Sequence, residues 1–266
     1  MEKLLEVCVD SLASARAAIA GGADRPELCA ALAVGGLTPY AGLLRQIREE
    51  SGIPIRCLMR PRPGDFLYTE EEVELMAGQI LELRDAGADG FVIGCLRPDG
   101  TLDMDAAGFL LTACGGCGVT LHRCIDVSAH PEQTYRDAMA LGMDTVLTSG
   151  AAASCRAGRA GIAKLLSLRE ALHGPEVLIG AGVNAGLIAE FREALPAARA
   201  FHMSGKREVE SAMRFRRPGR LRRKRLLFRE KNRFFRENLP KLYGFKLQPH
   251  YFRDILTAST KMGGIV

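Results

Sequence analysis

The sequence of 266 residues contains no run of about 18 uncharged apolar residues, which is the length that a membrane-spanning helix needs. Its first residues also lack the apolar core and the small-residue cleavage site of a secretory signal, since Glu6 and Asp10 interrupt them. No low-complexity linker interrupts residues 1–205, and nothing there suggests a second folded domain. We therefore expect a protein without a membrane segment that stays in the cytoplasm.

The composition is that of an ordinary globular protein, with 47% hydrophobic and 25% charged residues. Eight cysteines occur without an export signal, so we expect reduced thiols rather than a disulfide framework. Most of them lie in apolar runs, where cysteine ordinarily acts as a small hydrophobic residue. A functional role for any one cysteine therefore needs further evidence.

Charge is distributed unevenly along the chain. Residues 1–205 carry a net charge of −8, whereas residues 206–266 carry a net charge of +13. This change divides the chain into an acidic domain, residues 1–205, and a basic C-terminal segment, residues 206–266. The two parts require separate interpretations.

Apolar strand-like runs alternate with helix-like segments from Leu4 to about Ser204. The strand candidates are Leu4–Asp10, Pro26–Leu32, Ile53–Pro61, Gly90–Leu96, Gly118–Asp126, Thr145–Gly150, Glu176–Val183 and Ala200–Ser204. Helix candidates lie near residues 11–21, 39–51, 69–86, 103–114, 131–141, 157–172 and 184–194. Such alternation indicates parallel pairing, and eight units favour a (β/α)₈ TIM barrel over an open, doubly wound sheet.

Strand residues in a parallel barrel alternate between the lumen and the helix-facing side, which must be apolar. In the first strand Leu5, Val7 and Val9 are the apolar set, so their neighbours should point into the lumen. The same reasoning on other strands gives the predicted inward set: Glu6, Cys8, Asp10, Glu27, Cys29, Arg60, Arg62, Thr120, His122, Cys124, Asp126, His202 and Ser204. Most of these residues lie towards the C-terminal ends of their strands.

Two interpretations of this polar lumen are open. Glu6, Glu27, Arg60 and Arg62 could form a structural ion network that closes the barrel, since buried charges must pair. Alternatively they belong to a functional site, because sites in this fold lie at the C-terminal face. We favour the second interpretation. The glycine turns at residues 147–150 and 180–184 lie at the same face and could bind an anion, although tight turns alone explain them.

Soft-metal chemistry is a further possibility at this face. Cys8 and Cys29 point inward from neighbouring strands, and two thiolates suit Cu(I) better than Mg²⁺ or Ca²⁺. His122 and His202 could add ligands or could be hydrogen-bonded core histidines. The single C-x-x-C, at Cys114 and Cys117, falls at the opposite end of the barrel without nearby ligands, and we do not favour it as a site.

Several ordered motifs resemble those of the CutC copper homeostasis family. They are Glu6-Val7-Cys8-Val9-Asp10-Ser11, Glu27-Leu28-Cys29, Gly35-Gly36-Leu37-Thr38-Pro39, Arg60-Pro61-Arg62-Pro63-Gly64-Asp65-Phe66, Leu121-His122-Arg123-Cys124-Ile125-Asp126 and Phe201-His202-Met203-Ser204. The resemblance covers roughly residues 4–217. It implies a cytoplasmic (β/α)₈ barrel, commonly a homo-oligomer, that binds copper, with Cys8 and Cys29 as the Cu(I) ligands.

An enzyme is the alternative function, since no reaction is firmly assigned to the resembled family. A lyase, isomerase or hydrolase would act on a small phosphorylated or carboxylated substrate. Arg60 and Arg62 would hold the anion, and Glu6, Glu27, His122 or His202 would move protons. No lysine occupies an inward strand position, which argues against Schiff-base chemistry.

The basic segment departs from the resembled pattern after about Pro218. Leu227, Phe228, Phe234, Phe235, Leu239 and Leu242 recur at helical spacing, which indicates an irregular basic helix in place of the eighth barrel helix. A nucleic-acid arm, a membrane-surface segment and a reading-frame change near codon 219 are the other interpretations. We favour a poorly packed or frame-altered segment and expect no nucleic-acid partner.

Overall fold

The computed structural model describes residues 3–210 and 224–228, with side chains for residues 3–205. Eight parallel strands close into a barrel in the order of the chain, and β1 pairs with both β2 and β8. The strands are β1 (Leu4–Val9), β2 (Arg25–Leu28), β3 (Arg56–Leu58), β4 (Gly90–Ile93), β5 (Gly118–Leu121), β6 (Thr145–Thr148), β7 (Glu176–Ile179) and β8 (Ala200–Met203). The predicted TIM barrel is confirmed.

Seven α-helices surround the barrel within the described residues. They are α1 (Leu12–Ala20), α2 (Ala41–Glu50), α3 (Glu70–Asp85), α4 (Met104–Cys114), α5 (Pro131–Ala140), α6 (Arg159–Leu172) and α7 (Ala185–Ala194). Side chains at three helix starts, Ser11, Thr69 and Asn184, accept hydrogen bonds from backbone N–H groups of the first turn. These caps explain why the helices begin where the sequence indicates.

The main hydrophobic core lies between the barrel and its helices. Val7, Val9 and Phe201 belong to it and are fully buried, as the alternation of β1 and β8 predicts. Burying one such side chain contributes about 1.5–3 kcal/mol. Because this layer supplies most of the apolar burial, the lumen is free to carry polar groups.

Every strand ends before its predicted last residue, and at β5 this moves two predicted inward residues. β5 ends at Leu121, and a 3₁₀ helix, Arg123–Val127, replaces the expected strand extension. The Nδ1 atom of His122 accepts a hydrogen bond from the N–H of Cys124, which bends the chain at this point. Cys124 consequently packs in the outer core rather than pointing into the lumen. Asp126 binds the turn that follows β6.

Beyond the barrel the structure describes two antiparallel strands, β9 (Lys206–Glu210) and β10 (Lys224–Phe228). Leu227 and Phe228 therefore lie in a strand, and their predicted helical conformation is wrong. The other residues of that predicted helix, from Phe234 onward, lie outside the described residues. No eighth helix occurs among residues 3–210 and 224–228. In the same ranges, no helix has the length and apolar character to cross a membrane.

Candidate metal centre

The N-terminal end of the lumen is a closed polar floor centred on Arg56. Its guanidinium donates to Thr120 and Thr145 and pairs with Asp144 at 2.7 Å. Glycine is required beside it: a Cβ at Gly118 would lie 2.5 Å from Nη2 of Arg56. We call Arg56, Thr120, Asp144 and Thr145 the floor cluster. It joins three strands, and both terminal nitrogens of Arg56 donate to its other members.

Glu6 lies above the floor as the centre of an ion triad. Its carboxylate accepts from Nε of Arg25 at 2.7 Å and lies 2.9 Å from Nδ1 of His202. Burial alone would raise the pKa of Glu6, but the Arg25 charge and the His202 hydrogen bond outweigh it and lower that pKa to about 2. Burial opposes a charged His202, yet the Glu27 and Glu6 carboxylates raise its pKa well above the usual value. Glu6 is thus an ionised structural anchor.

Two thiols meet near the C-terminal end of the lumen. Cys8 on β1 and Cys29, directly after β2, bring their Sγ atoms to 3.9 Å, and both residues are buried. Their position follows from the register of the two strands, which pairs Cys8 with Glu27. Ligand atoms of Cys8, Glu27 and His202 all lie within 4.8 Å of one another. The Cys8 sulfur is therefore shared by the thiol pair and by the group with Glu27 and His202, to which Cys29 does not belong.

The electrostatics of this group favour a protonated Cys8 thiol in the absence of a metal. The hydrogen bond with Cys29 and burial both raise the pKa of Cys8 well above its usual range. Burial likewise raises the pKa of the Glu27 carboxyl, to about 7. A cation that binds two sulfurs here must displace thiol protons, and a soft ion such as Cu(I) compensates best for that cost. The donor set fits a soft, thiophilic metal ion.

A cavity of about 580 Å³ opens above the thiols at the C-terminal mouth. Five of the residues predicted as site candidates line it, namely Cys8, Glu27, Arg60, His122 and His202. Glu6 and Cys29 lie behind this wall, in contact with His202 and Cys8 respectively. The structure therefore brings seven of the eight sequence candidates together at one end of the lumen.

Arg62 is the exception among the candidates. Its guanidinium pairs with Glu72 at 2.5 Å and with Asp65 at 3.1 Å, and it is not among the residues that line the cavity. The chain leaves β3 after Leu58, so strand alternation no longer governs position 62. The predicted inward placement of Arg62 is wrong. Arg60 remains at the mouth because three backbone carbonyls, those of Val34, Gly36 and Gly64, bind it.

His122 lies on the wall of the cavity under tight packing. A Cβ at Gly94 would lie 2.5 Å from Cε1 of His122, so only glycine leaves room for the ring. The centroid of the ring lies 4.5 Å from that of Phe66 with the two planes tilted by 45°, and its Nε2 has no hydrogen-bond partner among the described residues. Burial, together with the Arg60 charge, lowers the pKa of His122 to about 3. The imidazole is therefore neutral at physiological pH.

Sequence alternation overlooked Arg123 as a member of the site. It follows an inward residue and so would face outward in a strand, but the 3₁₀ helix places it beside the cavity. Its Nε pairs with Asp126 at 2.7 Å and its Nη2 donates to Ser149 at 2.8 Å. Arg25 and Arg56 were also overlooked, since both lie at strand starts, away from the C-terminal face. For Arg123, the available signal was its position directly after His122 at the end of a strand.

The comparisons with known proteins agree with this geometry. The family model described as the CutC family matches residues 3–207. A CutC family protein of Xylella fastidiosa is 47% identical over 210 residues, which cover 79% of this chain and 77% of the relative. A CutC family protein of Chromobacterium violaceum is 43% identical over 220 residues, covering 82% and 87% of the two chains.

A solved structure from Streptococcus agalactiae, described as that of a proposed copper homeostasis protein CutC, is also similar. It is 27% identical, with a TM-score of 0.70, over 75% of this chain and 97% of that one. Residues 3–207, which the family model matches, contain the barrel and every residue of the thiol site. On the family match and the identity to these relatives, this chain belongs to the CutC family.

Proposed function

We propose that this protein takes part in copper homeostasis by binding Cu(I) in the cytoplasm between Cys8 and Cys29. The observation that carries the proposal is the 3.9 Å separation of the two buried sulfurs. Zn–S bonds of about 2.3 Å put two thiolates of a tetrahedral site roughly 3.8 Å apart, so one thiophilic ion bridges such a pair without moving the strands. Copper is the cargo of the site in this proposal.

The surroundings suit a singly charged soft ion. Two thiolates and Cu(I) together carry one negative charge, and the cationic His202 is close enough to hydrogen-bond Cys8. Arg25 pairs with Glu6 and so offsets the negative charge of that carboxylate beside the site. Hard divalent ions prefer several oxygen ligands, whereas Glu27 is the one carboxylate in the described cluster of candidate ligands.

The cysteine pattern supports a reducing compartment. All eight cysteines are free, and seven of them are buried. Burial raises the pKa of Cys57, Cys95 and Cys114 to about 12, and none of the three lines the cavity that Cys8 faces. They act as small core residues, whereas Cys8 lines the open cavity and Cys29 lies directly behind it.

The test is an anaerobic Cu(I) titration against a competing chelator. We expect one Cu(I) per chain, and at least a hundredfold loss of affinity in Cys8→Ala/Cys29→Ala, since both soft ligands are removed. Cys114→Ala/Cys117→Ala is the matched control, because it removes the C-x-x-C pair at the other end of the barrel. Equal loss in the control, or tighter binding of Zn²⁺ than of Cu(I), would overturn the proposal.

A further inference from the structure

We propose that the mouth of the barrel also binds a small organic carboxylate, held by Arg60, Arg123 and His122. This site goes beyond the copper function and does not depend on it. The three side chains line the 580 Å³ cavity on the side formed by β3, β5 and their following loops. Each presents a hydrogen-bond donor or a positive charge that the described protein leaves unmatched.

Arg60 is a buried cation without a carboxylate partner. It is only 9% exposed, and its guanidinium contacts the carbonyls of Val34, Gly36 and Gly64 at 2.9–3.2 Å. Among the described residues no Asp or Glu pairs with it, and its Nε has no hydrogen-bond partner. An uncompensated buried charge is costly, and an anion in the cavity would neutralise it.

Arg123 is a second cation with a fixed orientation. Asp126 and Ser149 bind its Nε and Nη2, and Asp126 is itself held by the N–H groups of Ser149 and Ala151. These two contacts do not involve Nη1, and the side chain is 43% exposed, so Nη1 stays available to a ligand. A guanidinium that is oriented before binding loses less entropy when it pairs with a carboxylate.

His122 contributes a neutral donor. Its Nδ1 accepts from the N–H of Cys124 at 3.2 Å, so the single ring hydrogen of the neutral imidazole must be on Nε2. That Nε2–H is buried and has no acceptor among the described residues. The group can donate to a ligand oxygen without adding charge. All three residues therefore select an acceptor-rich, anionic group.

The size and lining of the cavity select an organic molecule. Its volume lies within the range of about 300–1,000 Å³ that is typical of small-molecule sites and far exceeds the space of one ion. Leu32, Leu58, Leu147 and Val183 give it an apolar wall. The Phe66 ring lies 5.4 Å from Cζ of Arg60, the cationic donor, and 4.5 Å from the ring of His122, the neutral donor. A carboxylate with an apolar body fits these features.

The test uses metal-free, reduced full-length protein and ligand-observed NMR with calorimetry. The probes are 3-phenylpropanoate and 4-methylpentanoate, each beside its primary amide, with acetate and inorganic phosphate for comparison. We expect each carboxylate to bind at least tenfold more tightly than its amide, and more tightly than acetate or phosphate. Equal binding of the amides, tighter binding of phosphate, or no measurable binding of either carboxylate would overturn the proposal.

Variants test two of the three residues, His122 and Arg123. His122→Asn keeps an acceptor for the Cys124 N–H but removes Nε2, and we expect about fivefold weaker binding. His122→Gln returns an amide nitrogen near the Nε2 position and should restore most of it. Arg123→Gln should weaken binding at least tenfold. Arg62→Gln, which lies outside the cavity, is the matched control and should bind as the wild type does.

The experiments can contradict the copper proposal and the carboxylate proposal independently of each other. Cys29→Ala, whose side chain lies behind the cavity wall, should bind both carboxylates with wild-type affinity although its affinity for Cu(I) falls. Thermal unfolding of each variant shows whether it is folded. Unchanged carboxylate affinity in folded His122→Asn and Arg123→Gln would contradict the assignment, whatever the copper titration shows.

Discussion

The two ends of the barrel lumen contain the same kinds of side chains but use them differently. At the floor, Arg56 contacts Thr120, Thr145 and Asp144, and both of its terminal nitrogens have partners. At the mouth, Arg60 and His122 keep donors without partners beside an open cavity, and two thiols meet at 3.9 Å. Inward polarity alone is therefore not a sign of function. Unmatched polarity beside a cavity is the informative observation.

Removal of the floor cation should have the largest effect on stability. Arg56→Met leaves Asp144 and two threonines without their central partner, and we expect the free energy of unfolding to fall by about 3 kcal/mol. Urea denaturation measures it. Arg45→Met, at an exposed position of α2, is the control and should change stability by less than about 0.5 kcal/mol. A loss below about 1 kcal/mol in Arg56→Met would show that the floor cluster does not stabilise the fold.

The mouth should be sensitive to acid through His122. Its pKa is about 3 in the folded protein and about 6.5 when unfolded, so below pH 6.5 the unfolded state binds the additional proton. Stability should therefore fall as the pH decreases through this window, by about 2 kcal/mol from this residue at pH 5. The pH-dependent loss should be smaller by that amount in His122→Asn. Parallel pH profiles would contradict the burial argument.

Copper affinity should increase with pH. The hydrogen bond with Cys29 and burial raise the pKa of Cys8, so the ion must displace at least one thiol proton. The apparent dissociation constant for Cu(I) should decrease about tenfold per pH unit for each proton displaced. A chelator competition series between about pH 6 and pH 8 measures the slope. A flat profile would mean that thiolate formation does not limit binding.

Arg62→Gln should have the smallest effect. Its side chain is 36% exposed and its ion pairs with Glu72 and Asp65 lie outside the cavity. Such pairs contribute about 0–1 kcal/mol, so stability should change little. Copper affinity should remain that of the wild type. A marked loss of copper binding would show that Arg62 contributes to the site.

The sequence predicted the parts of this structure that depend on periodic patterns. Alternation along β1 and β8 placed Glu6, Cys8 and His202 in the lumen, and the structure agrees, while their roles stay predictions. The errors begin where strands end. Arg62, Cys124 and Asp126 were assigned by extending the alternation beyond Leu58 and Leu121, where turns and a 3₁₀ helix take over.

The remaining omissions have a different physical cause. Arg25 and Arg56 occupy the first positions of their strands, where contacts to the Glu6 carboxylate and to Asp144 depend on the closure of the whole barrel. Arg123 depends on a local hydrogen bond at His122 that no periodicity encodes. Seven residues of the candidate site could nevertheless be predicted from one sequence, because they lie on the strands or within two residues after them.

X-ray absorption at the copper edge tests the central claim, that Cys8 and Cys29 together bind the ion, most directly. In protein loaded with one equivalent of Cu(I), we expect two sulfur atoms in the first coordination shell. Cys29→Ala should lose one of them, and Cys114→Ala/Cys117→Ala should lose none. A first shell of nitrogen and oxygen alone, or a spectrum unchanged in Cys29→Ala, would contradict the account.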